Sequence, residues 1–128
     1  MSKKVIFTKE APAPIGPYNQ AISYNGLVYV SGQIALDPAT GELRISSLEE
    51  ETRLVLKNLG SVLAAAGSSY DRVIKCSIFL SDMSLFLQIN QIYGEYFPEA
   101  TAPARETVAV KGLPRGVNVE ISCIAITD

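Results

Sequence analysis

The feature that most constrains the fold is a pair of strand-like segments that are apolar on both faces. Successive side chains of a strand point to opposite faces of a sheet, and a sheet that is apolar on both sides needs a cover on each. The apolar positions are Leu27, Val28, Val30, Val119, Ile121, Ile124, Ala125 and Ile126. Two helices can cover one face, so association between subunits is the simplest cover for the other.

The first quarter of the chain predicts three strands. A short strand at residues 5–7 leads into residues 11–18, where three prolines and a glycine fix an irregular loop. Two further strands flank Asn25-Gly26, the strongest short-range signal for a β-hairpin, because both positions tolerate positive φ.

Two helices follow, each with recognisable ends. The first is expected to begin near Ser47, where Glu50 can complete a capping box, and to end at Gly67. The second is expected after Asp82, a good N-cap residue, and is ended by Pro98.

Three more strands are expected, at residues 73–80, 105–110 and 117–126, and we expect the last two to form a hairpin across residues 111–116. One face of the first of these strands should carry Ile74, Cys76, Ile78 and Leu80. The element order is β-β-β-α-β-α-β-β, with no repeat or linker. It predicts one α+β domain over residues 1–128, whose mostly antiparallel sheet has both helices on one face.

The absence of histidine restricts the chemistry. Ser-His-Asp and Cys-His nucleophile systems and histidine-based zinc sites are excluded. The net charge of −2 and the pI of about 5.1 argue against nucleic acid as a partner, because proteins that bind it display a basic stripe. Proton transfer near neutral pH must then depend on carboxylates, tyrosines, lysines, thiols, backbone groups or water.

Two cysteines, Cys76 and Cys123, indicate the compartment. They could pair, but buried free thiols in a reducing compartment are the favoured interpretation, since free cysteine packs as a small hydrophobic residue. No long apolar run follows the N-terminal lysines, and no stretch reaches the roughly 20 apolar residues that span a bilayer. We expect a cytoplasmic protein with no membrane partner.

Three motifs occur together in the chain. Residues 11–21 read APAPIGPYNQA, residues 30–34 read VSGQI, and residues 103–108 read PARETV and lead on to VEI at residues 119–121. Each resembles a signature of the RidA family, also called the YjgF family, and they stand in that family's order and at its spacing. The resemblance extends over essentially the whole chain.

This resemblance implies a chorismate-mutase-like α+β fold and a homotrimer whose sheets form a central barrel, with three ligand clefts between subunits. It also implies an enamine/imine deaminase, which hydrolyses reactive 2-imino acids such as 2-iminobutanoate and 2-iminopropanoate to 2-oxo acids and ammonia. The family uses no cofactor and no metal for this reaction.

That chemistry and the strand pattern both single out the same three residues, Arg105, Thr107 and Glu120. If the last hairpin pairs Val110 with Val117, Thr107 lies opposite Glu120, and Arg105 is one diagonal step away. In this assumed register, the planar fork of the arginine would bind the substrate carboxylate. Glu120 would position a water for attack on the C=N carbon. A cross-strand salt bridge between Arg105 and Glu120 is the alternative interpretation.

The resemblance places four further residues near the ligand. Tyr18 matches a tyrosine that closes over it, Ser31 and Gly32 match positions that offer it backbone groups, and Asn90 matches an asparagine near the cleft. Each position also has a purely structural interpretation. Tyr18 could be a packing aromatic, Gly32 could turn the chain after a strand, and Asn90 could be a helix-surface asparagine.

Two positions depart from the family pattern. Thr107 stands where many deaminases have cysteine, and Glu106 where many members have a small or apolar residue. Alternation should point Glu106 away from the cleft, toward the helix-facing side of the sheet. A second function also stays open. The same cleft could bind 2-oxo acids or other small carboxylates as a sensor or regulatory subunit, a role that Arg105 would serve equally.

Overall fold

The computed structural model describes residues 2–127, which form a six-stranded sheet with two α-helices on one face. The strands are β1 (Lys4–Ile6), β2 (Ala21–Tyr24), β3 (Leu27–Gln33), β4 (Val73–Leu80), β5 (Ala104–Ala109) and β6 (Val119–Ile126). The helices are α1 (Leu48–Ala65) and α2 (Phe86–Tyr96). Over this range of residues, no helix has the length and apolar character needed to cross a membrane.

The turn and N-cap signals are confirmed, but the capping box expected at Ser47 is only half formed, because the Glu50 carboxylate accepts a hydrogen bond from the hydroxyl of Ser46 instead. The hydroxyl of Ser47 caps α1 by accepting a backbone N–H three residues further on at 3.0 Å, and Gly67 follows the last turn with φ of 77°. Asp82 caps a short 3-10 turn that leads into α2. Between β2 and β3, Asn25 and Gly26 have φ of 53° and 83°, as a two-residue type I′ hairpin requires.

The order of the strands corrects one expectation. The sheet runs β1-β2-β3-β6-β4-β5, with β5 parallel to β4 and β6 antiparallel to it. Since β4 lies between β5 and β6, the last two strands do not form a hairpin, and the register assumed between residues 110 and 117 is wrong. The physical reason is α2, which connects β4 to β5. A helical crossover returns the chain beside the first strand and in the same direction.

The two faces of the sheet differ in their cover. Helix α1 packs on β3 and β6 and α2 packs against α1, so the strand residues on that side form the core. On the other side, Tyr29, Val108 and Ile126 are 44%, 42% and 41% exposed. The helices therefore cover one apolar face and leave a second one open.

Ile74 departs from the face expected for it. Cys76 and the alternate residues after it are buried under the helices, whereas Ile74 is 43% exposed. The pairing of β4 with β6 shifts register between Val73 and Lys75, and Val73 takes the buried position. Such an irregularity interrupts the alternation of faces along a strand.

Candidate active site

The structure separates the predicted site residues into two cavities. The glutamate cavity has a volume of about 310 Å³ and includes Tyr18, Ser31, Gly32 and Glu120. The arginine cavity has a volume of about 540 Å³ and includes Asn90 and Arg105. The residues that the resemblance assigns to one cleft thus lie in two separate cavities of one chain.

Arg105 and Glu120 lie on opposite faces of the sheet. Arg105 is opposite Cys76 of β4, whose side chain faces the helices. Glu120 alternates with the buried Val119 and Ile121 and therefore faces the open side. The guanidinium and the carboxylate of one chain do not meet. The expectation that the hairpin register would bring Arg105, Thr107 and Glu120 together on one face is therefore wrong. The alternative of a salt bridge between Arg105 and Glu120 is excluded as well.

Glu120 is an unpaired carboxylate in the wall of its cavity. It forms no hydrogen bond or ion pair with any of residues 2–127. Partial burial raises the pKa of this carboxyl, because burial disfavours the charged form. A Cβ on Gly32 would lie 2.5 Å from Oε2 of Glu120, so glycine at this position leaves room for the carboxylate. A carboxyl group with free lone pairs and a raised pKa is suited to general acid–base work.

Tyr18 and Ser31 form a second wall of the glutamate cavity. The Tyr18 ring is half-exposed, and its hydroxyl accepts a long hydrogen bond of 3.5 Å from the N–H of Ile15. Ser31 donates its hydroxyl to the carbonyl of Asn19 at 2.6 Å and its N–H to the carbonyl of Gln20 at 2.9 Å. Both donors of Ser31 are therefore used to hold the Tyr18 segment on β3, while the Tyr18 ring stays half-exposed in the cavity wall.

Arg105 is held by aromatic rings. Its guanidinium carbon lies 4.7 Å from the ring centroid of Tyr93 and 5.8 Å from that of Phe86. No carboxylate among residues 2–127 pairs with it. Burial raises the pKa values of Tyr93 and of Cys76, so both stay neutral beside the arginine. Stacking leaves the in-plane N–H donors of a guanidinium available, and the cavity is therefore suited to a planar anion such as a carboxylate.

Thr107 shares the face of Arg105 but lines neither cavity. Its Oγ1 is buried and has no hydrogen-bond partner within residues 2–127. A buried polar atom left without a partner costs about 1–3 kcal/mol. Thr107 is therefore a position whose polar group one chain alone does not satisfy.

Glu106 lies on the open face of the sheet. Its carboxylate accepts a hydrogen bond from Nζ of Lys75 at 2.8 Å and another from the hydroxyl of Ser77. These bonds, that of Lys75 first, lower the pKa of Glu106. The expectation that Glu106 faces the helices is wrong, because Arg105 and Thr107 occupy the covered side of β5. Glu106 does not compete for the guanidinium.

Sequence reasoning missed most of the glutamate cavity. Arg115 carried a signal, since it precedes Gly116 in a turn, and it adopts a positive φ of 56°, which is uncommon for a residue with a side chain. Loop residues have no periodicity that would place them in a cavity. The lining residues that were not predicted are Pro12, Ala13, Ile15, Gln20, Gln33, Ile34, Leu36, Pro114 and Arg115.

This fold defines a class of small α+β protein with a mixed sheet and two helices. The family model described as Endoribonuclease L-PSP matches residues 8–127. The chain belongs to this family, which is the RidA family that its motifs indicate.

Similar proteins extend over the same length. The "RutC family protein slr0709" of Synechocystis is 52% identical and covers 98% of both chains. The "2-iminobutanoate/2-iminopropanoate deaminase" of Mus musculus is 46% identical, over 97% of this chain and 91% of its own. A crystal structure of YyfA from Yersinia pestis, described as a protein of unknown function of the conserved Rid family, has a TM-score of 0.95. It is 48% identical over 98% of this chain and 100% of its own.

Proposed function

We propose that this chain is a 2-iminobutanoate/2-iminopropanoate deaminase, a hydrolase that acts on C=N bonds without a cofactor. Two groups suited to that reaction are present and unpaired within residues 2–127, the guanidinium of Arg105 and the carboxylate of Glu120. The observation that carries the proposal further is their separation on opposite faces of the sheet. A site that uses both groups must take them from two chains.

The working unit of this proposal is a homotrimer. The open face, with Tyr29 and Val108 exposed, requires a cover, and further copies of the chain supply one. In this assembly the arginine cavity of one subunit meets the glutamate cavity of the next, which gives three clefts. The proposed compartment is the cytoplasm, since Cys76 and Cys123 are both free and buried.

The proposed mechanism assigns one task to each cavity. Arg105 binds the carboxylate of the 2-imino acid through its planar fork, and the Tyr18 ring covers the ligand. Glu120 accepts a proton from a water as the water adds to the C=N carbon of the protonated imine, which gives a neutral carbinolamine. Glu120 returns that proton to the nitrogen, and the C–N bond then breaks as the C=O bond forms and the hydroxyl proton passes to the departing ammonia. One protonated imine and one water thus give one 2-oxo acid and one ammonium ion.

A second function is favoured by one observation. The arginine cavity has a free guanidinium and can hold a small carboxylate without any part of Glu120. A sensor or regulatory protein for 2-oxo acids would need no more than this. The two functions differ in what they require of Glu120, because a carboxylate near an anionic ligand weakens its binding unless the carboxylate manages a proton or a water.

Subunit mixing tests the proposal directly. Imine is generated by an amino-acid oxidase, and its disappearance is followed by trapping with semicarbazide. Arg105→Ala and Glu120→Gln are each expected to be nearly inactive alone. The two variants are then unfolded together and refolded as mixed trimers. A cleft in such a trimer is intact only where the subunit that supplies its arginine cavity has a native Arg105 and the subunit that supplies its glutamate cavity has a native Glu120. Random association then restores about a quarter of the native turnover.

Two kinds of control are needed to interpret the result for the mixture. Each variant refolded alone must stay inactive, and sedimentation must give the same assembly for both variants and for the native protein. If the mixed protein assembles and stays inactive, the shared cleft is wrong. If the native protein does not accelerate imine hydrolysis, the enzyme function fails, and binding of 2-oxobutanoate then decides for the sensor.

A further inference from the structure

One wall of the glutamate cavity is an irregular segment, residues 8–17, here called the proline loop. It contains no helix or strand, and three of its residues are prolines, which have no N–H to donate. Pro12, Ala13 and Ile15 of this loop line the cavity, and the loop leads directly into Tyr18. Its position therefore decides the shape of the cavity.

A single buried side chain connects the proline loop to the sheet. Gln20 is 2% exposed and immediately precedes β2. Its Oε1 accepts the N–H of Thr8 at 2.7 Å. Its Nε2 donates to the carbonyls of Thr8, Ala11 and Pro12 at 3.0, 3.2 and 2.9 Å. Within the described chain, no other hydrogen bond joins residues 8–17 to a residue beyond Tyr18.

The backbone on either side of this amide is fixed in turn to the floor of the cavity. The carbonyl of Gln20 accepts the N–H of Ser31, and the carbonyl of Asn19 accepts its hydroxyl. Ser31 is the neighbour of Gly32, which lies against the carboxylate of Glu120. A continuous path of short hydrogen bonds therefore runs from the strand beside Glu120, through Gln20, to the proline loop.

We propose that Gln20 is a positioning residue, whose side-chain amide holds the proline loop, and with it Tyr18, over Glu120. Without that amide, the three loop carbonyls would turn to water and the loop would sample many conformations. A ligand would then have to order the loop as it binds, at the cost in affinity and rate that a preorganised site avoids. The catalytic part of this inference rests on the proposed function. The structural part does not.

Two substitutions at Gln20 test the role, with a third elsewhere as control. Gln20→Met keeps the length of the side chain and removes all four hydrogen bonds. Gln20→Glu keeps an acceptor for the N–H of Thr8 and offers no donor to the three carbonyls. The control is Thr52→Val, which removes a buried hydroxyl that donates to the carbonyl of Leu48 at 2.8 Å, far along the chain from the loop.

Hydrogen exchange gives a readout that does not depend on activity. In the native protein the amide of Thr8 should be protected. In Gln20→Met this protection should be lost together with that of Tyr18, whereas in Gln20→Glu, which keeps the acceptor for Thr8, the loss should be confined to Tyr18. The amides in the centres of α1 and β6 should keep their native protection. Uniform loss over the whole chain would mean that Gln20 serves global stability only. Unchanged protection of Thr8 in Gln20→Met, or of Tyr18 in both variants, would contradict the proposal outright.

Kinetics separate positioning from stability. A loosened loop should reduce kcat/KM for imine hydrolysis by about 100-fold, the scale seen when a remote change misplaces a reacting group. If Gln20 acts through Tyr18, Gln20→Met should cost far less in a Tyr18→Ala background, and the two losses should not add. Thr52→Val should leave kcat/KM unchanged.

Two outcomes would overturn the positioning role. One is full additivity between Gln20→Met and Tyr18→Ala, and the other is native kcat/KM in both Gln20 variants. A native protein that neither hydrolyses imines nor binds 2-oxobutanoate would instead contradict the proposed function. The exchange at Thr8 and Tyr18 would then still decide whether Gln20 holds the loop.

Discussion

The arginine cavity and the glutamate cavity hold their charged groups by different means. Arg105 extends from a strand and stacks on two rings of a helix, so regular secondary structure fixes it. Glu120 also extends from a strand, but the wall facing it is an irregular loop held by one amide. The position of Arg105 therefore depends on packing against a helix, whereas the wall that faces Glu120 depends on a few polar contacts. Substitutions should affect the two cavities in correspondingly different ways.

Removal of the guanidinium is expected to give the largest effect and would show whether the arginine cavity is the anion site. Arg105→Ala should weaken binding of 2-oxobutanoate, measured by calorimetry, by roughly 30- to 1000-fold, because a bidentate charge-assisted contact is lost. Arg105→Lys keeps the charge but not the fork and should also bind poorly. Arg44→Ala is the control, since Arg44 pairs with Asp37 elsewhere on the surface. Equal affinities in the native protein and Arg105→Ala would place the ligand elsewhere.

Neutralisation of Glu120 should separate turnover from binding. Glu120→Gln keeps shape and hydrogen-bonding capacity but removes basicity, so imine turnover should fall by about 100-fold or more. Binding of 2-oxobutanoate should be unchanged or tighter, since one negative charge near the ligand has gone. Glu106→Gln is the matched control on the same open face, where the carboxylate is paired with Lys75, and should keep turnover. Native turnover with weakened binding in Glu120→Gln would mean that the role proposed for this residue is wrong.

Substitution of Thr107 tests whether a second polar side chain of β5, besides Arg105, contributes to ligand binding. Thr107→Val removes a buried hydroxyl that has no partner in the described chain. We expect thermal stability to be unchanged or raised. If the hydroxyl binds the ligand, affinity for 2-oxobutanoate should fall by about five- to tenfold, the value of one neutral hydrogen bond. A lower melting temperature with native affinity would mean that the hydroxyl is satisfied within the protein.

The sequence predicted most of the fold, but only some of the residues that line the two cavities, and not the arrangement of those residues. Asn25-Gly26 and Ser47 act locally, so their effects could be derived from neighbouring residues. The pairing of β5 with β4 depends on the path of α2, which no residue of β5 encodes. Alternation correctly grouped Arg105 with Thr107, yet it cannot tell which face of a strand the helices will cover. Glu106 was assigned to the wrong side for that reason.

The smallest expected effect compares two carboxylates with opposite pKa shifts. Burial raises the pKa of Glu120 in the folded state, so folding disfavours its ionised form. Below the unfolded pKa the group is protonated in both states and no penalty exists, and stability is lost as the pH rises through the folded pKa. Lys75 lowers the pKa of Glu106. The stabilisation that Glu106 gives the folded state is therefore present above the pKa of this group in the unfolded chain. It is lost as the pH falls through the pKa of the group in the folded protein.

Thermal melting of two variants tests these two opposite pH dependences of stability. Glu120→Gln should be slightly more stable than the native protein near pH 7, and the gain should shrink toward about pH 4, where ordinary carboxyls become protonated. Glu106→Gln should show a small loss near pH 7 that shrinks over the same range. The assembly must be checked at each pH, since dissociation alone would change melting. A gain in Glu120→Gln that is equal at both pH values would come from packing rather than from charge. Burial would then not disfavour the ionised form of Glu120, as its raised pKa implies.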